Sequence, residues 1–107
     1  MIARVWRGRT PAGKADAYAA FLGRTGLSVY RATPGNRGVL ALRRVEGKTA
    51  EFVLVSFWDS FEAINAFAGA DVEKAFYYPE DDSFLLEKEQ KVSHYTVFTA
   101  ELQGLTE

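Results

Sequence analysis

Between Glu51 and Trp58 apolar side chains fill both alternating sets of positions: Phe52, Leu54 and Trp58 on one, Val53, Val55 and Phe57 on the other. Such a run predicts a strand that is covered on both faces. Earlier, Ile2 to Gly8 sets branched and aromatic residues between arginines and reads as a first strand. Thr10-Pro11 then has the form of a helix start, a threonine N-cap with proline at the first helical position. Ala15, Tyr18, Phe21, Leu22 and Thr25 recur at helical spacing and give that helix one apolar face. Gly23 and Gly26 weaken its end, and a short turn of helix follows through Leu27 to Arg31.

Thr33-Pro34-Gly35-Asn36 is a turn cluster, after which Arg37 to Val45 reads as a second strand. Glu46-Gly47-Lys48 joins it to the third strand as a hairpin. Asp59 with Glu62 three residues on is a capping box for a helix whose buried face is Phe61, Ile64, Phe67 and Ala68. Asp71 is placed to cap a second short helix with Val72, Ala75 and Phe76, ended by Pro79. Glu80-Asp81-Asp82 reads as a solvated turn, Phe84-Leu85-Leu86 as an apolar anchor, and Lys91 to Thr99 as the last strand. The order is strand, helix, strand, strand, helix, strand: an α+β, ferredoxin-like split βαβ plan, an antiparallel sheet with helices on one face. A second copy is the simplest cover for the other face, so a homodimer is expected, its sheets packed face to face. Residues 1–100 form the domain and 101–107 a C-terminal tail with the dimer interface as its candidate site.

At 107 residues there is room for one core. The chain has no cysteine, which excludes thiolate metal sites and cysteine nucleophiles and suits a reducing, cytoplasmic setting. The alternating start is not a signal peptide, and no apolar run approaches the roughly 18 residues of a membrane span. Residues 1–50 hold ten Lys/Arg against Asp16 and Glu46, and residues 51–107 three against twelve acids. The bases are dispersed and no cluster interleaves with aromatics, so nucleic acid is not an expected partner. With one histidine and no thiol, a metal site within one chain is not expected either.

Fifteen aromatics can wall a pocket. His94 is the only histidine and a candidate general base, or else a histidine satisfied within a strand. Trp58, Phe61 and Tyr77 are the expected pocket walls, and core packing is the alternative for Trp58 and Trp6. One of Tyr77 and Tyr78 should face the pocket and hold a substrate oxygen. Arg4 is a candidate for an enolate or phenolate, with a surface or interface ion pair as its ordinary role. Asn65 is a candidate for a polar substrate group, with a solvent-facing helix position as its ordinary role.

With the elements placed, several segments carry a family resemblance. They are Ile2-Ala3-Arg4-Val5-Trp6, Ser56-Phe57-Trp58-Asp59-Ser60, Phe67, the run Tyr77 to Asp82, and His94-Tyr95-Thr96-Val97. Across residues 1–100 the chain resembles the antibiotic biosynthesis monooxygenase family of dimeric α/β barrels. The resemblance implies oxygenation of an aromatic, phenolic or quinol-type small molecule by molecular oxygen, with no metal, flavin or heme. Catalysis is then expected of His94, Tyr77 and Arg4, and substrate binding of Trp58, Phe61, Asn65 and Tyr78. A non-catalytic barrel that binds a small hydrophobic molecule is the alternative. Heme-degrading relatives pair the tryptophan with a helix histidine, where this chain has Phe76 or Tyr77. They also use a strand-one asparagine, where it has Arg4 or Trp6. Both departures count against heme.

Overall fold

The computed structural model describes residues 1–105. Four strands, β1 (Ile2–Pro11), β2 (Asn36–Glu46), β3 (Thr49–Trp58) and β4 (Ser93–Thr96), form one antiparallel sheet in the order β2-β3-β1-β4. Helices α1 (Ala15–Arg24), α2 (Gly26–Ala32) and α3 (Phe61–Ala68) complete the α+β, ferredoxin-like plan expected from the sequence. Alternation along β3 decides what is inside. Ala50, Phe52, Leu54, Ser56 and Trp58 are buried, while Val53, Val55 and Phe57 on the opposite face are only half-buried. The register carries this inner face across to Arg4, Trp6, Gly8 and Thr10 of β1 and to His94 of β4. Helix α1 covers it with Ala15, Tyr18, Phe21 and Leu22, the face its spacing predicts.

Four element boundaries differ from the sequence reading. Thr10 does not cap a helix: it is fully buried in β1 opposite Ala50, and Ala12 N donates to Lys48 O at 2.8 Å. The fixed φ of proline suits an extended chain as well as a first helical turn, and Pro11 has ψ 144°. A 3₁₀ turn at Ala12–Lys14 then leads into α1. Ser60, not Asp59, caps α3: its Oγ accepts from Ala63 N at 3.2 Å. The Asp59 carboxylate is taken instead by Arg37, whose Nε and Nη2 donate to it at 2.7 and 3.1 Å. That pairing holds the Asp59 carboxyl below its usual range.

The third difference matters most. Asp71 caps no helix, because residues 73–75 are drawn into an extended pairing with residues 90–92. Ala75 N donates to Gln90 O at 2.9 Å and Val92 N to Glu73 O at 2.8 Å. Val72 and Glu73 form a turn closed by Lys74 N donating to Asp71 O at 3.1 Å, which leaves Glu73 O facing the 90–92 segment while Val72 O and Lys74 O face Arg4. Strand β4 is also shorter than expected. Val97 N reaches Met1 O at 3.0 Å, and beyond it β1 has no residue left to pair with.

Candidate functional site

Arg4 is the centre of the site. Its place on the inner face of β1 sets it between Ser56 of β3 and His94 of β4. It is 2% exposed, so the surface or interface ion pair of the sequence reading is corrected. The guanidinium Nη1 donates to Val72 O and lies 3.2 Å from His94 Nε2, and Nη2 donates to Lys74 O at 3.0 Å. Arginine has donors only, so His94 Nε2 accepts and the imidazole is neutral with its proton on Nδ1. Among the described residues no carboxylate oxygen lies within 4.0 Å of Arg4. Burial lowers the pKa of Arg4, and the nearby Tyr30 phenol partly offsets that.

Beside Arg4 opens an aromatic pocket, lined among others by Trp6, Phe21, Tyr30, Phe67, Tyr77 and Tyr78. It is a narrow slot with a cavity volume of about 40 Å³, with largely aromatic sides and with Arg4 and Asp81 among its lining residues. Gly8 helps to shape it: a Cβ there would press into the Trp6 indole at Cη2 and Cζ2, so only glycine lets that ring lie along the strand. Trp6 Nε1 donates to the Tyr77 hydroxyl at 3.2 Å, which in turn donates to Glu89 O at 2.6 Å.

One residue of the acidic run, Asp81, also lines the pocket. Asp81 is buried, which corrects the reading of Glu80-Asp81-Asp82 as a wholly solvated turn. Its carboxylate accepts from Tyr18 Oη at 2.9 Å and from Tyr78 N at 2.7 Å, capping the 3₁₀ turn Pro79–Ser83 from inside. Burial raises the pKa values of Tyr18, Tyr30, Tyr77 and Tyr78, so all four phenols are donors at neutral pH.

The expected site residues divide into three groups. Arg4, Tyr77 and Tyr78 all line the pocket, so both tyrosines face it. His94 and Phe61 sit on the far side of Arg4, in a shallow groove with Val72, Glu73, Val92 and Ser93, their rings 5.3 Å apart. Val92 lines both the groove and the pocket, and Arg4 lines the pocket alone. The His94 pKa is lowered by burial and by Arg4, against a smaller opposing effect of Glu73. Trp58 and Asn65 line neither space. Trp58 is fully buried behind Tyr30 and Phe67, with its Nε1 donating to Ser56 Oγ at 2.9 Å, and Asn65 is exposed on α3. The single pocket walled by Trp58, Phe61 and Tyr77 is thus corrected: the indole is satisfied two residues back on its own strand, and the ring of Phe61 turns toward β4. Tyr18, Tyr30 and Asp81 were not foreseen as pocket residues. The helical spacing marks Tyr18 as buried, but nothing local marks Asp81.

The fold defines a class, the ferredoxin-like α+β domains with helices on one face of a four-stranded antiparallel sheet. Within it, the antibiotic biosynthesis monooxygenase family matches residues 1–77, and the chain belongs to that family. Among solved structures it is similar to the heme-degrader MhuD from Mycobacterium tuberculosis with two hemes bound. That likeness has a TM-score of 0.63 at 21% identity, over 94% of this chain and 99% of that one. It is also similar to a protein of unknown function from Nitrosomonas europaea, with a TM-score of 0.65 at 20% identity, over 96% and 94% of the two chains. At such identities the likeness concerns the fold. A search of the curated proteins finds no significant match. No helix of the described residues is long and apolar enough to cross a membrane, and among them no three acidic or histidine side chains gather as a metal site.

Proposed function

We propose that the pocket binds an aromatic molecule of phenolic or quinol type as its anion, and that the protein catalyses its oxygenation by O₂ without a cofactor. The observation that carries this reading is Arg4, a buried cation at the wall of an aromatic slot, with no carboxylate oxygen within 4.0 Å among the described residues. A buried charge normally has a partner. A substrate oxygen placed there ionises more readily, because the nearby positive charge favours the anion. The resulting electron-rich ring reacts with O₂ directly. For a CH₂ flanked by aromatic rings, both C–H bonds break, one oxygen atom becomes the new carbonyl and the other leaves as water. The substrate supplies all four electrons, and no external reductant is needed.

His94 serves this chemistry through Arg4 rather than as a base in the slot, because its Nε2 is already held by the guanidinium. Tyr77 and Tyr78 line the slot as donors to the substrate. Heme fits these residues poorly. The one imidazole of the chain accepts from Arg4 in the neighbouring groove, and the slot is narrow. A second reading, a binding protein without turnover, is favoured by one observation: the four phenols near the slot are all pushed toward their protonated forms, and the Asp81 carboxylate in its wall is already taken by Tyr18 Oη and Tyr78 N. The half-covered outer face, with Val53, Val55, Phe57 and the half-exposed Leu42, supports pairing with a second copy of the chain. The test is oxygen uptake on a panel of anthrone-like phenols and quinols, with chelator and without flavin or heme. Uptake by wild type that falls about 10²–10³-fold in Arg4→Met supports oxygenation at Arg4. Equal uptake in both removes Arg4 from the reaction.

A further inference from the structure

An apolar cavity that takes a single benzene measures roughly 150 Å³. The slot measures about 40 Å³, so an aromatic ring enters it fully only if a wall yields. Among the described residues, Tyr77 lines both the slot and an open surface groove of about 420 Å³. Its hydroxyl accepts from Trp6 Nε1, which belongs to the slot, and donates to Glu89 O, which belongs to the groove. Its ring is placed in the same way, 6.2 Å from the Trp6 ring and with Lys88 Nζ of the groove 5.7 Å from its centroid. The Tyr77 side chain is thus a partition between the two spaces. It is half-buried and stands in a stretch, residues 75–78, that belongs to no helix or strand. Val92 also borders two spaces, but a valine turns about one bond and sweeps too little volume to open a wall.

We propose that Tyr77 is a gate, and that its rotation joins slot and groove into one site for an aromatic molecule with a polar tail. The proposal rests on the reading of the aromatic slot as the ligand site. With the ring turned away, the aromatic end of the ligand lies in the slot and the tail runs out into the groove. Lys74, Lys88 and Lys91 line the groove, but so do Asp71, Glu89 and Gln90, and Lys88 is already paired with Asp82 at 2.6 Å. Charges of both signs and an amide suit a tail of hydroxyl or amide groups, neutral rather than ionised. Turning the ring breaks two hydrogen bonds, and water or the tail itself replaces them at Trp6 Nε1 and Glu89 O. The closed position therefore slows association in proportion to the fraction of molecules that are open.

Two probes test this: 2-naphthol, which has no tail, and 6-hydroxy-2-naphthyl β-D-glucoside, which keeps a free phenol and adds a sugar. Association and dissociation are followed by stopped-flow tryptophan fluorescence, Trp6 being in the slot. Tyr77→Phe keeps the ring and removes both hydrogen bonds. It should raise the association rate of both probes about tenfold, as the loss of one or two ordinary hydrogen bonds warrants. A tyrosine that served only as a donor to the ligand would change the dissociation rate and leave association alone. The glucoside should bind wild type at least as tightly as the naphthol, because the groove receives its sugar. Association unchanged in a folded Tyr77→Phe overturns the gate. A glucoside that fails to bind wild type where the naphthol binds overturns the joined site, whether or not any variant folds. Oxygen uptake read alongside keeps the two readings apart. Gated binding without uptake from any phenol or quinol removes oxygenation and leaves the gate standing. Uptake with association unchanged in Tyr77→Phe does the reverse.

Discussion

Two arginines of this chain show how differently the same side chain can be used. At the exposed corner between β2 and α3, Arg37 meets Asp59 with two hydrogen bonds, and solvent screens both. In the interior, Arg4 meets two backbone carbonyls, an imidazole and the Tyr30 phenol and, among the described residues, no carboxylate. The corner is closed electrostatically by the chain itself. The interior is not, and its open charge faces an aromatic slot. Where a protein neutralises its own charge the pair is structural; where it buries and fixes the charge without an acid beside it, the partner is expected from outside.

The comparison can be broken most sharply at Arg4. Arg4→Met should lower oxygen uptake by about 10²–10³, the span found when one electrostatic donor is removed from a reacting oxygen. Circular dichroism checks that the variant is folded. The slot itself is the next target. Gly8→Ala should displace the Trp6 ring and destabilise the domain by about 1–3 kcal/mol, the usual cost of overpacking, as read from denaturant unfolding. An unchanged midpoint would mean that the ring is not pinned there.

A smaller effect concerns His94. Its pKa is lowered from the ordinary 6.5 in the folded chain, so the unfolded chain binds the proton more readily. Folding stability should therefore fall as pH drops below about 6.5 and level off below the folded value. His94→Gln, which keeps an acceptor for Arg4 and does not titrate, should flatten that part of the profile. The smallest effect is expected at the corner, where Arg37→Ala should leave both the unfolding midpoint and oxygen uptake nearly unchanged. A large loss there would erase the contrast between the two arginines. Separately, Val55→Asp on the outer face should halve the mass measured by light scattering; a wild type already monomeric would reject the paired sheets.

The sheet order and the helices were legible because they depend on patterns of period two and 3.6 that the residues spell out. Phe52, Leu54 and Trp58 alternate with Val53, Val55 and Phe57, and Tyr18 with Phe21 and Leu22 keeps helical spacing. Capping at Asp59 missed by one residue, because Arg37 competes for that carboxylate from 22 positions away. The segment at Asp71 reads as a helix locally and is overridden by its pairing with residues 90–92. The site was only half legible for the same reason. Arg4 shares the even positions of β1 with Trp6, Gly8 and Thr10, which marks it as inward. That it meets backbone carbonyls instead of an acid depends on the Asp71 segment. Asp81 stands in an acidic run that looks solvated, and only the buried Tyr18 hydroxyl draws it inside.

The most direct test observes the open charge itself. The Nε–H resonance of Arg4, assigned by its loss in Arg4→Lys, is followed by ¹⁵N-edited NMR while an anionic aromatic ligand such as 2-naphthoate is added. A saturable shift of that resonance, absent with the neutral amide and larger than any shift at Arg37, is the result predicted. A silent Arg4 with responses confined to the exposed arginines would show that the interior charge receives no ligand.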